Sequence, residues 1–157
     1  MTTEQEIVSV LRAYDEAIYG KNAEAATALL SEDVTHYSLA PPLAVEGAAA
    51  RDPAGLQAWF VTWDGPITIE TPSWAIHASG DCAFASGLCR MTGQKHNGGA
   101  VDLWYRRTTC LRKVGGEWRI AVMHESVPFA MDGSDKALLD LQPNETMDPA
   151  KAAGATR

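Results

Sequence analysis

The N-terminal part of the chain carries apolar side chains at a helical period. They recur three or four positions apart at Ile7, Val8, Leu11, Tyr14 and Ile18. This spacing predicts an amphipathic helix over residues 3–19, and Gly20 follows where such a helix is expected to end. Asn22 is placed to cap a second, shorter helix that runs to Leu30.

The segment over residues 40–52 interrupts this pattern. Two consecutive prolines and a glycine predict a loop there rather than a regular element. Asp52 followed by Pro53 then predicts the start of a third helix, because a capping residue precedes a proline at the first helical position. The apolar side of this helix is formed by Leu56, Trp59, Phe60 and Trp63.

The second half of the chain alternates apolar and polar residues between glycine-containing turns. A short strand is predicted over residues 34–39, and longer strands over 67–78, 82–95, 100–114 and 117–128. Tight turns join the longer strands, so we expect them to be antiparallel neighbours. Long strands curl as they twist, and helices can cover the open side. The prediction is an α+β, cone-shaped roll: three N-terminal helices packed on a curved antiparallel sheet around one cavity.

Composition and charge narrow the classes of function. The 157 residues suit one domain, and the net charge of −7 argues against partners such as nucleic acid or an anionic membrane. No apolar run is long enough to span a bilayer, and the acidic N-terminus lacks the features of a signal peptide. The three cysteines form no CxxC pair, which favours the reducing cytoplasm.

The composition shifts after Phe129 toward Asp, Ala, Pro and Gly. We therefore expect one domain over residues 1–130 and a partly disordered C-terminal extension over residues 131–157. One helical turn is predicted at Lys136 to Leu141, and a mobile tail from Pro143.

The last predicted strand has the most regular alternation, and one of its faces carries a histidine. That face comprises Trp118, Ile120, Val122, His124 and Ser126. We expect it to point toward the cavity. Imidazole chemistry suits proton transfer near neutral pH, so His124 is the candidate proton carrier. The alternative is a core histidine that serves only structure.

The strand over residues 100–114 places Asp102, Trp104, Arg106 and Thr108 on a common face. If that face points inward, Arg106 can bind a carboxylate or enolate, and Asp102 can act as an acid or base whose pKa burial raises. If it points outward, Arg106 forms an ion pair with Asp102 or Glu125 on the sheet surface, and Asp102 only pairs with an arginine. The sequence leaves both orientations open.

Three stretches resemble a known superfamily. They are the opening helix pair from Leu11 to Val34, the set Trp104, Arg106 and Thr108, and the string from Leu111 through Trp118 and His124 to Phe129. The chain is similar to SnoaL-like and ketosteroid isomerase-like members of the nuclear transport factor 2-like (NTF2-like) superfamily. The resemblance covers about residues 4–129 and implies the cone-shaped fold, a small-molecule pocket and a homodimer.

The resemblance also implies roles for individual residues. Tyr14 matches the tyrosine that donates a hydrogen bond to a developing oxyanion in steroid isomerases, and Asp102 is placed near their oxyanion-hole acid. Ser38 stands where those enzymes have the aspartate base. A neutral serine cannot accept the substrate proton unaided, which argues against steroid isomerisation itself.

Further residues are expected to line the pocket and contact a ligand. They are His36, Ser38, Trp59, Trp63, Trp104, Thr108, Val122 and Ser126, with Tyr14, Asp102, Arg106 and His124 as the catalytic set. Of His36 and Tyr37, one should point inward because strand side chains alternate. The four histidines lack the spacing of metal sites, so we expect no metal and no cofactor.

Two functions fit these features. The first is a cofactor-independent acid–base enzyme of the isomerase, dehydratase or cyclase type that acts on a small apolar cyclic or polyketide-like molecule. The second is a non-catalytic module that binds a small ligand or assembles as a dimer. A histidine and a carboxyl group within hydrogen-bond reach inside the pocket would favour the enzyme.

Overall fold

The computed structural model of the protein describes residues 1–145. The helices are α1 (Thr3–Tyr19), α2 (Ala23–Thr27), α3 (Gly47–Arg51) and α4 (Pro53–Phe60). The strands are β1 (Leu30–Tyr37), β2 (Val45–Glu46), β3 (Trp63–Glu70), β4 (Ala75–Ser79), β5 (Cys82–Lys95), β6 (Ala100–Val114) and β7 (Glu117–Ser126). Helices at the N-terminus pack on one curved sheet, which confirms the predicted α+β class. None of the described helices is long and apolar enough to cross a membrane.

Helix α1 forms where the apolar period predicts it. Thr2 and Gln5 make a reciprocal capping box: Gln5 donates its backbone N–H to Thr2 Oγ1 at 3.2 Å, and Thr2 donates its backbone N–H to Gln5 Oε1 at 2.8 Å. The apolar side of the helix is buried against the sheet, with Ile7, Leu11, Tyr14 and Ile18 each less than a tenth exposed. The N-terminal helix thereby closes the open side of the curl.

The sheet has the strand order β2-β1-β7-β6-β5-β3, and β4 pairs separately with β5. All neighbours are antiparallel except β1 and β7, which are parallel. The expectation of a fully antiparallel sheet is therefore wrong at this one pair. The first strand, β1, lies beside the last strand, β7. The long segment between them, which contains β2 to β6, provides the crossover connection that a parallel pair needs.

The strand predicted over residues 67–78 is two strands, β3 and β4, that pair with opposite ends of β5. Pro72 lies in the break, where a residue without an N–H cannot extend a ladder. Gly87 faces this break on β5. A Cβ at Gly87 would lie 2.8 Å from the carbonyl oxygen of Ser73, so the close approach of the two chains requires glycine.

Other boundaries also differ from the prediction. Helix α2 ends at Thr27 instead of Leu30, and β1 starts at Leu30 instead of Val34. The predicted loop over residues 40–52 contains β2 and α3, so three expected helices become four. Residues 136–141 form no helical turn; a bridge joins Phe129 to Ala137 instead. The remainder of the expected tail, residues 146–157, lies outside the described residues.

Strand β7 contains a β-bulge that exchanges its two faces. Ile120 pairs with Leu111 and Val122 pairs with Cys110, so Ala121 is the extra residue. Trp118 and Ile120 are buried before the bulge, whereas Met123 and Glu125 take the inner positions after it. The prediction that His124 shares the inner face with Trp118 and Ile120 is wrong for this reason.

Strand β6 turns the face with odd residue numbers inward. Tyr105, Arg107, Thr109 and Leu111 are buried, while Asp102, Arg106 and Thr108 are exposed. The inward orientation considered for the Asp102 and Arg106 face is therefore wrong. The face points outward, and Asp102 pairs with an arginine, but this partner is Arg90. The ion pair expected for Arg106 is not formed, since Arg106 donates to Ser126 instead.

Candidate active-site cavity

A cavity of ≈ 510 Å³ lies inside the roll, bounded by the sheet, α1, α4 and the loop that follows β1. Much of its wall is apolar and includes Leu56, Trp59, Trp63, Met91 and Leu103. The polar side chains that interrupt this wall are Tyr14, His36, Ser38, Asp52, Lys95, Arg107 and Glu125. An apolar cavity of this size with few convergent polar groups is the usual form of a small-molecule site.

His36 and Glu125 form a hydrogen-bonded pair in the cavity wall. His36 Nε2 lies 2.7 Å from Glu125 Oε1, and the two side chains are 26% and 11% exposed. They meet because β1 and β7 are adjacent parallel strands, with Tyr37 opposite His124. An ionised carboxylate can only accept, so we assign the shared proton to Nε2, which leaves Nδ1 as the basic nitrogen of the neutral ring.

Arg107 and Asp15 form a buried ion pair behind this dyad. Arg107 Nη1 and Nη2 each donate to a carboxylate oxygen of Asp15 at 2.9 Å. Burial raises the pKa of the Asp15 carboxyl, although the hydrogen bonds from Arg107 oppose the rise. The guanidinium also lies 5.0 Å from the ring centroid of Trp74, and its Nε has no hydrogen-bond partner among the described residues.

Two tyrosines approach the same region. Tyr14 of α1 lines the cavity, and burial, followed by the negative charge of Glu125, raises the pKa of its hydroxyl well above the ordinary range. Tyr105 is 1% exposed, and its hydroxyl has no hydrogen-bond partner in the described part of the chain. Both hydroxyls therefore stay protonated and can donate.

Lys95 ends β5 beside two indoles. Its ammonium lies 4.2 Å from the ring centroid of Trp63 and 6.0 Å from that of Trp59, and it donates to Thr62 Oγ1 at 2.8 Å. Burial lowers the pKa of the Lys95 ammonium. The side chain lines the cavity and remains half-buried.

Five of the residues predicted from sequence lie in the cavity wall: Tyr14, His36, Ser38, Trp59 and Trp63. His36 is the inward member of its pair with Tyr37, whose ring is 39% exposed. Ser38 donates its hydroxyl to the carbonyl oxygen of Ala40 at 2.8 Å. The contacts of these five with a ligand remain predictions.

The other seven predicted site residues do not line the cavity: Asp102, Trp104, Arg106, Thr108, Val122, His124 and Ser126. Asp102 accepts two hydrogen bonds of 2.8 Å from Arg90, which lower the pKa of its carboxyl. Arg106 Nε donates to Ser126 Oγ at 3.0 Å. The ring of His124 packs edge-on against Tyr37 with centroids 5.1 Å apart. These contacts occupy the outer face of the sheet, so the pocket roles given to this set are corrected.

Sequence reasoning missed Arg107, Glu125 and Lys95. The odd-numbered face of β6, with Leu103, Tyr105 and Leu111, is more apolar than the even-numbered face, which carries Asp102, Arg106 and Arg112. This difference could have indicated that Arg107 points inward. Nothing in the residues around Ala121 announces the bulge that turns Glu125 inward. Among residues 1–145, no cluster of His, Cys, Asp or Glu has the arrangement of a metal site.

A curved sheet closed by N-terminal helices around one cavity defines an NTF2-like fold. The SnoaL-like domain family matches residues 7–130, and the chain belongs to this family. Among curated proteins, none matches this chain.

Solved structures share the fold over most of the chain. An NTF2-like protein of unknown function from Pseudomonas putida KT2440 is 26% identical with a TM-score of 0.78, covering 91% of this chain and 99% of that one. A ketosteroid isomerase-like protein from Erwinia carotovora atroseptica SCRI1043 is 22% identical with a TM-score of 0.67, covering 80% and 97%. An NTF2-like superfamily protein from Salmonella enterica serovar Typhimurium LT2 is 19% identical with a TM-score of 0.71, covering 84% and 95%.

Proposed function

We propose that the protein is a cofactor-independent acid–base enzyme that isomerises, dehydrates or cyclises a small apolar cyclic or polyketide-like molecule. The observation that carries the proposal is the His36–Glu125 pair, 2.7 Å apart in the wall of an otherwise largely apolar cavity. A base oriented by a second group inside a water-poor site is the arrangement that proton transfer requires. The likeness to a ketosteroid isomerase-like protein agrees with this class of chemistry.

The residues divide the work of an enolisation. His36 takes the proton from carbon through Nδ1, and Glu125 fixes the ring and stabilises the imidazolium that forms. Tyr14 donates a hydrogen bond to the developing oxyanion, since its raised pKa keeps the hydroxyl protonated. Arg107 adds positive charge near the same oxygen, although its two Nη atoms remain held by Asp15.

In this scheme His36 serves as the base, in place of the aspartate base whose position Ser38 occupies. Ser38 lies two positions after His36 on the same inner side of the chain. Its hydroxyl donates to the Ala40 carbonyl and is engaged locally. His36 can therefore supply, from the same edge of the cavity, the basic group that Ser38 lacks.

Hydrogen–deuterium exchange tests this proposal without knowledge of the natural substrate. The probe is 2-tetralone in D2O, and the readout is the loss of its C1 proton signal by NMR. Abstraction of a proton beside a carbonyl is common to the three reaction types. We expect the wild type to exceed buffer alone, and His36→Asn and Glu125→Gln to lose about 100-fold or more of the enzymatic rate.

His124→Asn is the matched control, because this histidine lies on the outer face of the sheet. It should exchange the C1 proton at the wild-type rate. A wild type that is no faster than His36→Asn, or a His124→Asn variant that loses the activity, would overturn the proposal.

The outer face of the sheet supports a second candidate, a dimeric ligand-binding or assembly module. Tyr37, Phe84 and Leu88 expose 39%, 47% and 41% of their surfaces there, and large exposed apolar side chains on one face favour association. We propose a homodimer through this face. Light scattering after size exclusion should give twice the chain mass for the wild type and the chain mass for Leu88→Lys. Dimerisation without exchange of 2-tetralone would favour the assembly module.

Two further expectations from the sequence, the domain division and the cellular compartment, remain proposals. The division into a domain over residues 1–130 and an extension over 131–157 agrees with the end of the family match at residue 130. All three cysteines are free, which supports a reducing compartment such as the cytoplasm.

A further inference from the structure

We infer that the natural ligand is an amphipathic anion, a carboxylate attached to a fused-ring or similarly apolar body, and that Lys95 binds its charged end. The inference rests on the cavity of the proposed function and adds the substrate class. It assigns Lys95 as a specificity-determining residue. The acid–base chemistry proposed for His36 and Glu125 does not use Lys95, and the family match assigns it no role.

Lys95 and the dyad lie on different strands of the cavity wall. The Lys95 ammonium lines the same cavity as His36 and Glu125, yet it belongs to the last residue of β5, beside α4 and the start of β3. The dyad lies on β1 and β7, which β6 separates from β5 in the sheet. A ligand that spans the cavity can therefore place one end at the dyad and the other at Lys95.

Lys95 differs from the other cationic side chains of the cavity wall in its lack of an acidic partner among the described residues. Arg107 is paired with Asp15, and His36 is paired with Glu125. Among the described lining residues, Lys95 is the one cation with no carboxylate within 4.0 Å. Asp52 also lines the cavity, but its exposed carboxylate caps α4 by accepting from the N–H of Ala54 at 2.9 Å.

A second lysine, Lys113, also lies over an indole, but it has an acidic partner. The ammonium of Lys113 lies 5.6 Å from the ring centroid of Trp118, and its charge is balanced by Glu6 at 3.4 Å. Lys95 has the indoles of Trp59 and Trp63 and the hydroxyl of Thr62, but no acid. Partial removal of the Lys95 ammonium from water costs free energy, and an anion supplied by the ligand offsets that cost.

The wall between the two ends sets the rest of the ligand. The lining there includes the indoles of Trp59 and Trp63, the thioether of Met91 and the aliphatic side chain of Leu103. Such a surface favours a rigid apolar body and offers a flexible polar chain no partners. Charge at one end and an apolar body toward the dyad together define the ligand class.

The test compares two probes that differ only in the terminal group, the carboxylate of 1-pyrenebutyrate and the uncharged carboxamide of 1-pyrenebutanamide. Binding is followed at pH 7 by energy transfer from the tryptophans to pyrene, with calorimetry as a second readout. We expect the wild type to bind the carboxylate about 10-fold more tightly than the amide. Lys95→Met should remove that preference by weakening the carboxylate and leaving the amide within a factor of about two, while Lys95→Arg should keep most of it.

Lys113→Met is the matched control, since it removes a lysine that lies over a tryptophan outside the cavity. It should leave both affinities unchanged. Equal binding of the two probes by the wild type, equal weakening of both by Lys95→Met, or failure of either probe to bind overturns the inference.

The two proposals can fail separately. His36→Asn should keep the wild-type ratio between the two affinities, because the preference for the carboxylate comes from Lys95, whereas the contact of His36 with the apolar body can change both affinities alike. A carboxylate preference without exchange of 2-tetralone would keep the ligand class and reject the catalytic role. Exchange without a carboxylate preference would do the reverse.

Discussion

Asp15 of α1 and Arg107 of β6 meet in a bidentate ion pair whose side chains are only 15% and 2% exposed. The pair separates two spaces: Arg107 lines the interior cavity, and Asp15 lines a groove of ≈ 500 Å³ between α1 and the β3–β4 region. Burying two charges costs several kcal/mol, which their mutual attraction repays only while both partners are present. The pair therefore fixes α1 against the sheet in one position.

The first prediction concerns this pair as a unit. Arg107→Met leaves the Asp15 carboxylate buried without a partner. Asp15→Leu likewise leaves the Arg107 guanidinium buried without a partner. Each should lower the free energy of unfolding by about 3–5 kcal/mol. The double variant should cost clearly less than the sum, because it removes both charges. Urea unfolding of the four proteins measures the coupling.

A surface pair provides the control for this cycle. Arg90 and Asp102 make the same bidentate contact, but their side chains are 40% and 55% exposed. The corresponding cycle, Arg90→Met with Asp102→Leu, should show little coupling, because water screens the charges. Additive losses at Asp15 and Arg107 would mean that the interior pair is no more than a surface pair.

The second prediction concerns pH. Burial raises the pKa of Asp15, the charge of Glu125 adds to the rise, and Arg107 opposes it. Arg107→Met removes the opposing interaction, so the pKa in the folded variant rises further above the unfolded value of about 3.9. An acid with a raised folded pKa binds its proton more strongly when folded, so stability falls as the pH rises from the unfolded pKa through the folded one.

The loss of stability in Arg107→Met should therefore be smallest near pH 4 and should grow toward neutral pH. Urea unfolding between pH 4 and 8 measures it, with each variant compared with the wild type at the same pH. Adding Asp15→Asn removes the titrating group and should flatten this dependence. A loss for Arg107→Met that is the same at every pH would show that Asp15 does not titrate in this range.

The sequence predicts the fold better than the site because the two depend on different features. The helical period of α1, the Asp52–Pro53 helix start and the glycine turns each act locally, and the elements formed where those signals lie. The cavity instead depends on which face of each strand points inward. That choice is relative, and in β6 both faces carry a mixture of apolar and polar residues.

The β-bulge at Ala121 shows the limit most clearly. Strict alternation places His124 with Trp118 and Ile120, and one extra residue moves it to the outer face. The same residue brings Glu125 inward to His36. Bulges of this kind arise from the fit of one strand to its neighbours, here to β6 and to the parallel strand β1, and not from a signal in their own residues.

The third prediction concerns Gly93, which positions an indole of the cavity wall. A Cβ at this residue would lie 2.8 and 2.9 Å from the Cζ3 and Cε3 atoms of Trp63, and 3.2 Å from the carbonyl oxygen of Pro66. Trp63 is 5% exposed, so the side chain has little room to retreat except toward the cavity. Gly93→Ala should therefore lower the free energy of unfolding by about 1–3 kcal/mol and displace the indole.

Near-UV circular dichroism reports the displacement, and urea unfolding reports the loss of stability. Gly99→Ala is the matched control, because a Cβ at Gly99 would meet no atom within 4 Å. It should leave the near-UV spectrum unchanged. Because the Trp63 ring also supports the Lys95 ammonium at 4.2 Å, Gly93→Ala should weaken 1-pyrenebutyrate as well. Unaltered stability and spectrum in Gly93→Ala would mean that the indole yields freely and does not define the cavity wall.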